Sequence, residues 1–125
     1  MNEDYVSFAT AKLLKEKGFD EECNMAYFNG TLVDYTMFGF CLGGDLLYCP
    51  TLQKAMKWLR KWHNLHCDIG YDFRLGWHIQ ITSIKEVVQD HDTEMKTYLP
   101  NKVVNYPSYE EACEEAIRYC LENLI

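Results

Sequence analysis

The sequence predicts an α+β domain of two layers, in the order α-β-β-α-β-β-α, with antiparallel hairpins and their helices on one face. Three observations carry that prediction. Three segments have apolar residues at helical spacing, each preceded by a capping hydroxyl. Between them lie two hairpin signals, one an Asn-Gly turn flanked by aromatic and branched residues and the other a stretch of period-two alternation. At 125 residues, 48% hydrophobic and 14% aromatic, the chain suits one domain over 1–125 with a packed core.

The first helix is read in SFATAKLLKEKGF. Ser7 is its N-cap, Val6, Ala9, Leu13 and Leu14 mark one side, and Gly18 stands where a left-handed residue ends a helix. A hairpin follows, roughly 23–28 and 31–38, around Asn29-Gly30, a pair suited to the positive φ angles of a type I′ turn. GFCLGGDLLYCP is a loop with glycines Gly39, Gly43 and Gly44 that can contribute a short irregular strand.

After Pro50, TLQKAMKWLRKWHN predicts the second helix, capped by Thr51, with Leu52, Ala55, Met56, Leu59 and Trp62 as its apolar stripe. The last helix, in YPSYEEACEEAIRYCLENLI, opens with the capping box Ser108-x-x-Glu111. Its stripe runs from Tyr109 through Cys113, Ile117 and Cys120 to Leu124. Before it, KEVVQDHDTEMKTYLPNKVVN is long and polar and has no period of its own.

The second hairpin holds the densest group of chemically able residues. Alternation puts Leu65, Cys67, Ile69, Tyr71, Trp77, Ile79 and Ile81 on the core face. His66, Asp68, Gly70, Asp72, His78, Gln80 and Thr82 take the wet face. For the apolar sets to share a face, odd positions must pair with odd, which requires a loop with an odd number of residues. The loop Arg74-Leu75-Gly76 meets that condition and makes Asp72 and His78 cross-strand neighbours. Imidazole and carboxylate are zinc ligands, and an Asp beside a His orients a general base. Asp72 and His78 are therefore the candidate metal pair, with His91 and Asp92 as further ligands from the long loop. His66 would lie about 20 Å along the strand from Asp72 and is outside such a site.

The second helix offers another candidate. Lys54, Lys57, Arg60 and Lys61 are four of the chain's twelve cationic residues, and no acidic residue lies between Thr51 and Cys67. Trp58 sits among them, off the stripe. Cations beside an exposed indole suit a protein partner, with Lys54, Lys57, Trp58, Arg60 and Lys61 as the docking residues. The alternative is a solvated face, one that can complement the glutamates of the last helix within the molecule or across a dimer. The aromatics around the first hairpin (Tyr27, Phe28, Tyr35, Phe38, Phe40 and Tyr48) would mark a self-association surface if left exposed together.

Several classes are disfavoured. The net charge of −7 opposes sequence-independent nucleic-acid binding, which releases counterions through basic residues. The acidic start is not a secretory signal, and the longest uncharged stretch, Tyr35 to Gly44, is too short to span a bilayer. A cytoplasmic protein with no membrane association is expected. The six cysteines contain no CxxC pair and are expected as buried free thiols. Cys113 and Cys120 lie about 10.5 Å apart along one helix, beyond the roughly 7 Å that a disulfide bridges. No G-x-S-x-G, P-loop, HExxH or GxGxxG occurs, so no catalytic residue and no cofactor is assigned, and an enzyme is disfavoured.

YVSFATAKLLKEKGFDEEC, PTLQKAMKWLRKWHNLH and YPSYEEACEEAI resemble a group of small proteins of gut anaerobic bacteria, their phages and mobile elements. The resemblance implies an independent cytoplasmic protein of prophage or mobile-element origin. It carries no activity and no binding residues. Three functions follow as expectations: an accessory module binding an unidentified protein partner or a second copy as a homodimer; a metal-binding or hydrolytic domain using Asp72 and His78; and a nucleic-acid-associated protein docking through the basic helix 52–62.

Overall fold

The computed structural model describes residues 4–38, 46–87, 92–98, 100 and 102–125. It is an α+β fold in which the α-β-β-α-β-β-α order holds and smaller elements are added. Helix α1 (Phe8–Glu16) begins at Ser7, whose hydroxyl accepts from the Thr10 amide. Strands β1 (Met25–Phe28) and β2 (Thr31–Asp34) form the first hairpin, with Asn29 at φ 51° and Gly30 at φ 85° as the turn chemistry requires. The second strand is shorter than expected. The Asp34 carboxylate accepts from the Thr36 amide at 3.0 Å and turns the chain into a single helical turn, α2 (Tyr35–Phe38). Strand β3 (Leu46–Tyr48) then pairs with β1, giving a sheet of order β2-β1-β3. Gly39, Phe40, Cys41, Gly43 and Gly44 lie outside the described residues.

Helix α3 (Leu52–His63) is capped by Thr51 and ends at Asn64, left-handed at φ 55°. It leads into strand β4 (Leu65–Asp72), which pairs with β5 (Gly76–Val87). The polar stretch after β5 supplies a further strand, β6 (Asp92–Tyr98), so the second sheet has order β4-β5-β6. Where β6 ends, the chain returns to the same edge of β5. The Ile79 amide donates to the Val103 carbonyl at 2.9 Å, and the Tyr106 amide to that of Trp77 at 3.1 Å. That edge is thus satisfied over a length that no local period announced.

Helix α4 (Tyr109–Tyr119) opens at Ser108, whose hydroxyl accepts from Glu111, and closes in a wider π turn, Cys120–Leu124. Helices α3 and α4 pack on the apolar face of the second sheet, while α1 lies against β3. One buried cluster joins them, with Leu14, Leu59, Ile81, Ile117 and Leu121 among its fully enclosed members. The α1–α4 junction is polar and specific. The Glu114 carboxylate accepts from the Ser7 amide and hydroxyl and from the buried Thr10 hydroxyl at 2.6 Å, adding charge at the positive end of α1.

Candidate functional site

Parity in the second hairpin is as alternation requires, since Cys67 pairs with Ile81, Ile69 with Ile79 and Tyr71 with Trp77. The register, however, is two residues away from the expected one. Asp72 faces Gly76, and His78 faces Gly70, so Asp72 and His78 are not cross-strand partners. The cause is turn chemistry. The Asp72 carboxylate accepts from the Arg74 amide at 2.7 Å, and the Asp72 carbonyl from the Leu75 amide at 3.0 Å. Asp72 thus starts the turn instead of walling a site, and Gly76 at φ 67° returns the chain to the strand. The His78 ring lies across Gly70, where an added Cβ would come within 2.6 Å of its Cε1.

Asp68 and Asp72 are only diagonal neighbours of His78, and His66 faces Thr82. His91 lies outside the described residues, and of Asp92 only the backbone is described. Among the described residues no three His, Cys, Asp or Glu side chains come together as a metal site.

The basic helix keeps its cations on the surface and exchanges its tryptophans. Trp58, expected among the charges, is only 5% exposed. Its ring packs edge-on to Phe19 at 5.6 Å and to His63 at 4.8 Å between centroids. Trp62, expected on the buried stripe, is 61% exposed, with Lys61 Nζ 5.2 Å from its ring centroid. Helical angle alone places both indoles on the margin of the stripe. Phe19, arriving from the segment after α1, covers Trp58, whereas Trp62 lies on the last turn before the chain leaves at Asn64. That nearby left-handed residue was the sequence signal that the stripe runs out at Trp62.

The resulting surface is a groove of about 440 Å³ along α3, lined by Gln53, Lys54, Lys57, Trp58, Arg60 and Lys61 and by one carboxylate, Glu21. Lys54 Nζ is engaged by the Glu22 carbonyl at 2.6 Å. Among the described residues the ion pairs join Arg118 to Glu115 and Glu122, both within the C-terminal helix. The glutamates of α4 therefore do not neutralise α3. His63, against Trp58, has its pKa held below the ordinary 6.5 by burial.

Of the aromatics around the first hairpin, Phe28, Tyr35 and Tyr48 are half-buried, and the side chains of Phe38 and Phe40 lie outside the described residues. Tyr27 is buried and donates its phenol to the Val6 carbonyl at 3.1 Å, its pKa pushed up to about 12 mainly by burial. Among the described residues the most exposed large apolar side chain is Phe73 (83%) at the β4–β5 tip, beside Tyr71 (63%), while Met95 on β6 and Trp62 on α3 are also open. A larger cleft, about 730 Å³, is lined by Phe8, Lys12, Lys15, Glu16, Tyr27 and Leu47 among others, and its charges are of mixed sign.

The described cysteines are free, four of them buried and Cys67 partly so. No helix among the described residues is long and apolar enough to cross a membrane. Comparison with protein-family models, with curated proteins and with solved structures finds no match to the chain.

Proposed function

We propose that the protein is a non-enzymatic binding module of phage or mobile-element origin, acting in the cytoplasm. Its docking surface is the cationic face of α3, and its partner is a protein carrying an acidic segment. The observation that supports this most is the lack of any described carboxylate paired with Lys57, Arg60 or Lys61 in a chain of net charge −7. An acidic chain has many anions with which to compensate three cations on one helix. Leaving them open beside an exposed indole fits an anionic partner with an apolar or aromatic residue. Trp62 supplies the exposed indole, while the buried Trp58 lines the groove.

A fluorescein-labelled peptide rich in Asp and Glu with one central Phe, followed by anisotropy, tests this. Binding should weaken as salt rises and fall at least tenfold for Lys57→Glu with Lys61→Glu. Equal affinity for the wild type and the charge-reversed protein, or no binding at low salt, would reject the reading. Tighter binding to a DNA or RNA duplex than to the peptide would favour phosphate docking instead.

A further inference from the structure

Two of the six cysteines meet where β4 passes beneath the C-terminal helix. Cys67 on β4 and Cys120 at the start of the π turn bring their sulfurs to 3.8 Å, across 53 residues of sequence. Cys113, earlier on α4, is close enough to Cys67 to feel charge on it. The other two described thiols lie elsewhere. Cys49 donates to the Val6 carbonyl and Cys23 to that of Glu21. Access separates the close pair, for Cys67 is partly open to solvent and Cys120 is fully enclosed.

We propose that Cys67 and Cys120 are an oxidation site, forming a reversible disulfide that staples the C-terminal helix to strand β4, with a hydroperoxide as oxidant. The accessible Cys67 thiolate attacks one peroxide oxygen; the O–O bond breaks, Cys67 becomes a sulfenic acid, and hydroxide leaves to take up the proton the thiol released. The Cys120 sulfur then attacks the Cys67 sulfur. The S–O bond breaks as the S–S bond forms, and the hydroxyl departs as water with the Cys120 proton. Two thiols and one hydrogen peroxide give one disulfide and two waters, the peroxide taking two electrons. The hydrogen-bonding neighbour Cys67 and burial both hold Cys120 in its thiol form, so the first attack falls to Cys67.

Trypsin separates the three cysteines, placing Cys67 in peptide 62–74, Cys113 in 103–118 and Cys120 in 119–125. The full-length protein is treated with a small excess of hydrogen peroxide, alkylated under denaturing non-reducing conditions and mapped by mass spectrometry. The expected result is 62–74 joined to 119–125 within the monomer band, and 103–118 alkylated. The unfolding midpoint should rise by on the order of 10 °C and fall back with dithiothreitol. Cys113→Ala should keep the link and Cys67→Ser should lose it. If Cys67→Ser fails to fold, the wild-type and Cys113→Ala maps still decide. A link from 62–74 to 103–118, a link found only between chains, or Cys67 overoxidised with 119–125 still alkylated would each overturn the proposal.

Discussion

Trp58 and Trp62 differ by one turn of helix and by almost everything that matters energetically. Removing Trp58 empties the space between Phe19 and His63, so Trp58→Ala should cost about 3–5 kcal/mol. Trp62→Ala should change stability by no more than about 0.5 kcal/mol while weakening the acidic peptide. Denaturant melts of both variants, read beside the anisotropy titration, separate the two roles. Sequence could place each indole near the apolar margin of the helix but not choose between them, because Phe19, the residue that decides, comes from another segment. His63 carries a further consequence. Its folded pKa lies below 6.5, so between that value and the lower folded one the unfolded chain binds more protons. His63 therefore costs no stability above pH 6.5 and destabilises increasingly as pH falls through that window. His63→Gln should flatten the decline in unfolding free energy between pH 7 and pH 5 relative to the wild type.

At the scale of elements, features with local causes were legible and those with distant causes were not. Ser7, Thr51 and Ser108 each cap the helix their position implied, because a cap needs only the next three residues. Asn29-Gly30 turned as its φ preferences demand. Parity in β4–β5 followed from alternation alone. Its register required knowing which residue starts the turn, and Asp72 took that role, separating the candidate metal pair. β6 was hidden because its pairing partner, not its own pattern, makes it a strand. The grip of Glu114 on α1 was equally invisible, spanning 107 residues to Ser7 and 104 to Thr10. Glu114→Ala leaves the buried Thr10 hydroxyl without this acceptor and should cost about 2 kcal/mol in urea melts, with Glu114→Gln recovering part of the loss.

The molecule as a whole places α3 so that one face closes the core through Leu52, Ala55, Met56, Trp58 and Leu59, while the other turns Lys57, Arg60 and Lys61 to solvent, with no carboxylate paired to them among the described residues. The opposite side of the β4-β5-β6 sheet displays His66, Asp68, His78 and Gln80 without convergence. Fold class and element order were readable from periodicity, since both follow from which residues must be buried. The candidate site was readable in its charges, which the helix displays wherever it packs, and misread in its aromatic component, which packing assigns. Amide chemical-shift mapping during titration with the acidic peptide tests the docking claim most directly. The account expects the largest shifts at residues 54–62, saturating together and disappearing in Lys57→Glu with Lys61→Glu. Shifts centred instead on His66, Asp68 and His78, or on the Phe73 tip, with α3 unmoved, would contradict it.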